Sequence, residues 1–180
     1  EKAGIAVNER GAIVVDKRLH TTADNIWAMG DVTGGLQFTY ISLDDYRIVR
    51  DELLGEGKRS TDDRKNVPYS VFMTPPLSRV GMTEEQARES GADIQVVTLP
   101  VAAIPRARVM NDTRGVLKAI VDNKTQRMLG ASLLCVDSHE MINIVKMVMD
   151  AGLPYSILRD QIFTHPSMSE SLNDLFSLVK

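Results

Sequence analysis

A histidine and a carboxylate five positions apart near the C-terminus are the residues of this sequence best suited to acid/base chemistry. His165 and Glu170 stand in Thr-His-Pro-Ser-Met-Ser-Glu, residues 164–170. A histidine exchanges protons near neutral pH, and a carboxylate that returns to one ring nitrogen holds the ring in place. Pro166 and the neighbouring serines favour the turn that this contact requires. The stretch therefore predicts a proton-transferring pair, although a single histidine before a proline is more often an ordinary surface residue.

The elements that must position this pair are a loop and a short C-terminal helix. Ser167 or Ser169 can cap a helix that begins there. We therefore expect Glu170 in the first helical turn and His165 in the preceding loop. The apolar residues expected on the inner side of this helix are Leu172, Leu175 and Phe176.

A second candidate carboxylate, Asp31, lies in the first part of the chain. It follows Gly30 at the end of an apolar run, residues 26–29, which has the length of a buried strand. Residues 11–16 predict another short strand. A carboxylate at the C-terminal end of a strand lies where open α/β sheets bind ligands. Taken alone, however, Gly-Asp after a strand is usually only a turn.

A helix and a polar segment are expected next. The spacing of apolar residues predicts a helix beyond Gly35 that is stopped at Gly55. The apolar residues aligned on one side of this helix are Tyr46, Val49 and Leu53. Residues 55–66 are polar throughout and indicate a linker between two units.

The remaining sequence predicts an α+β fold with a mostly antiparallel sheet. Strands are expected at residues 67–73 and 94–99, with a helix between them that Thr83 and Gln86 cap. A hairpin and a second helix, starting at Ser138, follow. The expected hairpin strands are residues 115–122 and 128–136, and the expected buried stripe of the helix is Met141, Ile142, Val145, Val148 and Met149.

Composition narrows the possible partners and location. The 180 residues carry a net charge of −3, and nucleic-acid grooves and polybasic membrane surfaces need clustered positive charge, so neither partner is expected. No apolar run reaches the length of about 18 residues that spans a membrane, and the first five residues show no secretory signal. A single cysteine, Cys135, favours the cytoplasm and is expected to be buried and unreactive. No cluster of Cys and His predicts a metal site.

Three motifs resemble those of one enzyme family. Residues 164–170 match the His-to-Glu spacing of a His-Pro-Thr-x-x-Glu signature. Residues 22–32 are similar to a Thr/Ser-x-x-x-Ile-Tyr-Ala-x-Gly-Asp-Val flavin motif, and residues 80–87 to Val-Gly-Leu-Thr-Glu-x-x-Ala. The family is that of the pyridine nucleotide-disulfide oxidoreductases, flavoenzymes that include glutathione reductase, dihydrolipoamide dehydrogenase and mercuric reductase. Within it, residues 159–166 most resemble the enterobacterial reactive-chlorine-resistance flavoenzymes.

The resemblance implies a domain organisation and a flavin site. Residues 1–60 would be the C-terminal remnant of an α/β FAD-binding domain. Residues 67–180 would be the family's C-terminal dimerisation domain, through which a homodimer forms. Asp31, with Gly30, would bind FAD, and the carboxylate would hydrogen-bond the ribityl chain. Thr39 falls where backbone amides approach the flavin ring, although the residue after it is tyrosine where the family often has proline.

The resemblance also implies a reaction for the intact protein. NADH or NADPH would reduce FAD, FAD would reduce a disulfide, and the resulting dithiol would reduce the substrate. His165 of one subunit would serve as acid/base in the other subunit's active site, with Glu170 fixing its tautomer. The substrate could be a small-molecule disulfide, a metal ion or an oxidant.

Parts of the family's machinery are not found in these 180 residues. No Gly-x-Gly-x-x-Gly loop is present, and one cysteine cannot form a redox-active pair. We therefore expect a C-terminal fragment of a reductase that is inactive alone. One alternative is a stand-alone dimerisation module without catalysis, and another is a stand-alone FAD-binding or thiol-binding adaptor.

Overall fold

The computed structural model describes residues 2–180, which form two compact units, one that ends at Lys65 and one that spans Asn66–Lys180. The helices are α1 Thr39–Leu54, α2 Glu84–Glu89, α3 Pro105–Val109, α4 Ser138–Asp150, α5 Ser156–Asp160 and α6 Ser171–Ser177. The strands are β1 Tyr69–Val71, β2 Leu77–Gly81, β3 Ile94–Pro100, β4 Val116–Asp122 and β5 Met128–Leu134. Short 3-10 helices lie at Gly30–Thr33, Thr61–Asp63 and Val101–Ala103.

The strands expected in the first unit are absent, so that prediction was wrong. Residues 2–65 contain only isolated bridges, Val7 with Ile13 and His20 with Trp27. The run 26–29 hydrogen-bonds across a tight turn to residues 19–21, and this contact is too short to form a ladder. Ala28 is nevertheless buried, so the segment before Gly30 is anchored in the unit.

The helix expected after Gly35 is confirmed as α1, which ends at Gly55. Its buried side differs from the apolar side that the sequence suggested. Tyr46 and Leu53 are 49% and 55% exposed. The residues that α1 buries are Ile41, Asp45 and Ile48. A charged residue therefore occupies the centre of the packed side.

The polar segment after α1 is folded against that helix and is not a free linker. The Asp51 carboxylate accepts hydrogen bonds from the backbone N–H groups of Lys58 and Arg59, at 2.8 and 2.9 Å. The 3-10 helix that follows is capped by Ser60. Arg64 then pairs with carboxylates on α1. Polar composition here reflects hydrogen bonding to α1 and not solvation alone.

The second unit confirms the α+β prediction. Its sheet has the order β1-β2-β5-β4-β3, and every neighbouring pair is antiparallel. The expected β4–β5 hairpin and the Thr83–Gln86 capping box of α2 are both present. Strand β2 was not predicted, because it is short and follows two prolines. At its end Gly81 has φ +70°, and a Cβ there would lie 2.3 Å from the Leu129 carbonyl oxygen. The close approach of β2 to β5 at this point therefore requires glycine.

One hydrophobic core joins the sheet to α4, α5 and α6. Alternate residues of β3 and β4 face it, as expected for strands with one buried side. In β5 a register shift against β4 interrupts this alternation. The α4 stripe predicted from the sequence contributes, with Met149 only half-buried. Cys135 is buried in the same core, and burial raises the pKa of its thiol to about 12.

Within residues 2–180, no helix combines the length and the apolar character that crossing a membrane would require.

Candidate functional site

The structure brings His165 and Glu170 together on the loop before α6. The His165 Nδ1 atom lies 2.8 Å from Glu170 Oε2. The other carboxylate oxygen accepts a hydrogen bond from the Ser167 backbone N–H at 3.1 Å. In return, the Glu170 N–H donates to Ser167 Oγ at 3.2 Å. Both carboxylate oxygens therefore have a donor, and this fixes the side chain that holds the imidazole.

Glu170 lies one position earlier relative to the helix than the sequence indicated. It is the N-cap residue of α6, not a residue of the first turn. The Ser167 hydroxyl accepts a hydrogen bond from the Glu170 N–H. The predicted capping by this serine therefore occurs one residue before the first residue of α6. At this position the carboxylate points back along the loop to His165.

The loop is anchored at both ends. After His165, Met168 is buried in the core together with three residues of α6, and all three were predicted: Leu172, Leu175 and Phe176. Before it, the Asn173 Nδ2 group donates to the backbone carbonyls of Leu158, Arg159 and Gln161, at 2.8, 3.0 and 3.0 Å. This side chain therefore joins α6 to the C-terminal end of α5. These contacts fix the segments on both sides of the loop that carries His165.

The arrangement suits proton transfer at one ring nitrogen. With a carboxylate at Nδ1, the neutral imidazole carries its proton on Nδ1 and presents the Nε2 lone pair outward. The His165 side chain is 69% exposed, whereas that of Glu170 is only 16% exposed. Among residues 2–180, Nε2 has no hydrogen-bond partner. The ring can accept or return a proton at Nε2 while Glu170 balances the imidazolium charge.

Gly30 and Asp31 lie in the first unit, at the start of the 3-10 helix Gly30–Thr33. Gly30 has φ +77°, and a Cβ there would lie 3.0 Å from Ser42 Oγ. Asp31 lines an open cavity of about 430 Å³ together with Gly11, Ala12 and Gln37. Its carboxylate makes no hydrogen bond to any part of the chain that the structure describes. A polar ligand with hydroxyl groups would find an available acceptor there.

Thr39 is the first residue of α1 and is exposed. The residues on either side of it, Phe38 and Tyr40, stack with ring centroids 5.1 Å apart. The first N–H groups of a helix have no partner within the helix. The Thr39 N–H, the first of α1, therefore lies beside a small aromatic surface, whereas the Ile41 and Ser42 N–H groups donate to the Phe38 carbonyl.

Sequence reasoning did not identify two residues that support these sites. Asn173 gave no signal, because an asparagine within a short helix is usually a solvent-facing residue. Asp45, whose Oδ2 atom accepts the Gly30 N–H at 2.6 Å, was also missed. The sequence does contain one indication of its role. Asp45 is a polar residue between Ile41 and Ile48, on a side of the helix that is otherwise apolar.

Two family models match the chain. Residues 67–176 match the model described as pyridine nucleotide-disulphide oxidoreductase, dimerisation domain. Residues 1–45 match the model described as pyridine nucleotide-disulphide oxidoreductase. The first match alone covers more than half of the chain.

Curated relatives agree with these models. The probable pyridine nucleotide-disulfide oxidoreductase RclA of Escherichia coli is 99% identical over 180 residues, which are 100% of this chain and 41% of that protein. A mercuric reductase of Staphylococcus aureus is 36% identical over 96% of this chain and 31% of its own length. The chain thus spans less than half of the relatives that it matches.

Solved structures show the same fold. The HOCl-induced flavoprotein disulfide reductase RclA from Escherichia coli matches with a TM-score of 0.97 at 99% identity, over 98% of this chain and 41% of that one. LpdA from Mycobacterium tuberculosis matches with a TM-score of 0.88 at 23% identity, over 98% of this chain and 38% of that one, which supports the fold alone. The dimerisation-domain match, the mercuric reductase similarity and the near-identity to RclA confirm that this chain belongs to the pyridine nucleotide-disulfide oxidoreductase family.

Proposed function

We propose that this chain is the C-terminal portion of a flavoprotein reductase that uses NADH or NADPH and acts on a disulfide, metal ion or oxidant. Within it, residues 1–60 would belong to the FAD-binding domain and residues 67–180 would form the homodimer. His165 and Glu170 would supply acid/base chemistry to the partner subunit's active site. A cytoplasmic location, expected from the single cysteine, is part of the same proposal.

One observation carries this proposal: the 2.8 Å contact between His165 Nδ1 and Glu170 Oε2 on an anchored loop. A histidine that serves only as a surface residue would gain little from a carboxylate that is itself fixed by a backbone N–H. An acid/base catalyst needs such a fixed carboxylate, because its ring must keep one tautomer and one direction. The exposed Nε2 would then meet a group that this subunit does not itself provide.

The first unit has residues that fit FAD. Asp31 offers an available carboxylate beside an open cavity, which suits the hydroxyl groups of a ribityl chain. Thr39, at the start of α1, would present its backbone N–H to the flavin ring. When bound, FAD would supply the transfer of reducing equivalents from the nicotinamide to a disulfide.

The residues of this chain would act on protons in that reaction. His165 Nε2 would accept the proton of a thiol, so that the resulting thiolate is stabilised by the imidazolium, and would return that proton to the leaving thiolate. Glu170 would keep Nδ1 protonated and the ring oriented throughout. Because the chain has one cysteine, buried in the core, the thiols themselves must come from another part of the protein.

The test is His165→Ala in the intact protein, with Thr164→Ala as the control from the same exposed stretch. Flavin content is read from the visible spectrum, and thiolate formation from the rate of iodoacetamide alkylation after two-electron reduction. We expect alkylation near neutral pH to slow by about 100-fold or more for His165→Ala. We expect unchanged flavin content in both variants. Loss of FAD from His165→Ala would contradict the assigned role.

A further inference from the structure

A buried carboxylate in the first unit contacts the turn that carries Asp31. Asp45 is only 2% exposed, and its Oδ2 atom accepts the Gly30 N–H at 2.6 Å. The contact joins α1 to the residue directly before Asp31. Buried carboxylates are rare unless their oxygens have donors. Here the donor is the Gly30 backbone N–H, which belongs to the candidate flavin-binding turn.

The second oxygen of Asp45 is paired with an arginine. Arg64 Nη2 contacts Asp45 Oδ1, while Arg64 Nε donates to Asp44 Oδ2 at 2.7 Å. Arg59 completes the group by donating to Asp44 Oδ1 at 2.9 Å. Desolvation lowers the pKa of Arg64 but its hydrogen bonds to both carboxylates raise it, and the net change is upward. The arginine therefore holds Asp45 in one orientation.

An apolar side chain would be the simpler occupant of this position. Ile41 and Ile48 flank Asp45 on the packed side of α1, and replacing a buried charge by an apolar residue of similar size is often neutral or stabilising. The contacts of the two Asp45 carboxylate oxygens explain why a charged residue occupies this position. Gly30 has φ +77°, and a hydrogen bond to its N–H fixes the peptide plane from which the next residue, Asp31, extends.

We propose that Asp45 is a positioning residue for the flavin: it orients the Gly30–Asp31 turn, and Arg64 orients Asp45. This inference rests on the proposed function, in which Asp31 contacts FAD. It adds a role for residues that do not touch the ligand. The polar segment after α1 becomes part of the flavin site through Arg64.

The experiment compares Asp45→Asn with Asp62→Asn in the intact protein. Asparagine has the size of aspartate, but its NH₂ group must face either the Gly30 N–H or Arg64, so one contact becomes donor against donor. Asp62→Asn is the same exchange at an exposed carboxylate of the first unit, which pairs with Lys17 and not with Gly30 or Arg64. We expect Asp45→Asn to weaken FAD binding to the apoprotein by about tenfold or more, measured by quenching of flavin fluorescence. Asp62→Asn should stay within about twofold.

A double-mutant cycle separates positioning from a general loss of structure. If Asp45 acts through Asp31, the Asp45→Asn effect should largely disappear in an Asp31→Asn background. An equal loss of FAD affinity in both backgrounds would overturn the inference, as would equal FAD affinity of the Asp45→Asn and Asp62→Asn variants. If Asp31→Asn alone leaves FAD affinity unchanged, the proposed flavin contact fails, and this inference fails with it.

A milder variant covers the case in which Asp45→Asn does not fold. Arg64→Lys keeps the positive charge but removes the two-pronged contact with Asp44 and Asp45. We expect an intermediate loss of FAD affinity, again reduced in the Asp31→Asn background. A Lys variant that folds and binds FAD as tightly as the unmodified protein would contradict the part assigned to Arg64.

Discussion

At the scale of single residues, the Glu170 carboxylate explains why His165 has a defined direction. A hydrogen bond to a charged group contributes about 1.5–3 kcal/mol, and Glu170 makes two such bonds, one to the His165 ring and one to the Ser167 N–H. Because the carboxylate is mostly buried and the imidazole mostly exposed, the fixed partner is the glutamate. The ring therefore takes its orientation from the loop.

We expect Glu170→Gln to slow turnover of the intact protein by about 10- to 100-fold. Glutamine has one acceptor and one NH₂ group, so either the His165 Nδ1–H or the Ser167 N–H would face a donor. Steady-state kinetics with a small-molecule disulfide as the probe substrate would measure the effect. Glu85→Gln, an exposed position on α2, is the matched control. Equal rates for the two variants would show that the carboxylate does not orient the ring.

Cys135 illustrates a residue whose burial decides its chemistry. Burial raises the pKa of this thiol to about 12, so almost no thiolate exists at pH 8 in the folded protein. We expect no alkylation by iodoacetamide under native conditions and complete alkylation in urea, followed by mass spectrometry. Because unfolding returns the thiol to its ordinary, lower pKa, reactivity should appear together with the unfolding transition. Rapid alkylation of folded protein would contradict this burial.

At the scale of elements, the loop that carries His165 depends on how α5 and α6 are joined. Asn173 on α6 donates to carbonyls at the end of α5, where helical carbonyls have no partner within the helix. The apolar side of α6 then binds this pair of helices to the sheet. The Asn173 hydrogen bonds, the Glu170 cap of α6 and the apolar packing of α6 thus determine the position of the His165 imidazole.

We expect Asn173→Ala to lower the free energy of unfolding by about 1–3 kcal/mol, because half-buried carbonyls lose their donor. Urea unfolding followed by circular dichroism would measure it. Asn143→Ala, on the exposed side of α4, is the control and should change stability by about 0.5 kcal/mol or less. If both variants unfold at the same urea concentration, the asparagine does not connect the two helices.

At the scale of the whole molecule, the proposed acid/base role requires a second subunit. The residue that best reports on this is Ile162, which is 93% exposed three positions before His165. A fully exposed isoleucine on an anchored loop is costly in water, and contact with a partner would remove that cost. The match to a dimerisation domain is consistent with such a contact.

We expect the chain of 19.9 kDa to scatter light as a species of twice that mass. Ile162→Asp should shift the equilibrium toward the monomer, because a charge would be buried in the interface. Leu54→Asp, an exposed position outside residues 67–180, should leave the mass unchanged. A chain that stays monomeric at high concentration would contradict the proposed homodimer. The chain should also show no reductase activity alone, measured by NADPH oxidation.

Structural features that depend on residues close together in the chain could be predicted from the sequence. The Thr83–Gln86 cap, the β4–β5 hairpin, the α4 stripe and the apolar side of α6 each depend on residues within one element, so spacing alone identifies them. The His165–Glu170 contact is of the same kind, because five residues and a proline close the turn. Burial of Cys135 followed from its apolar neighbours.

Features that depend on distant residues were decided only by the tertiary structure. The strands expected at residues 11–16 and 26–29 did not form, since a strand needs a partner and the sequence does not show whether one is available. The side of α1 that is buried depends on Asp45, whose donors Gly30 and Arg64 lie 15 and 19 positions away. Local periodicity therefore determined the helices and the hairpin, whereas partners distant in sequence determined whether a strand forms, which polar groups are buried and which turn they hold.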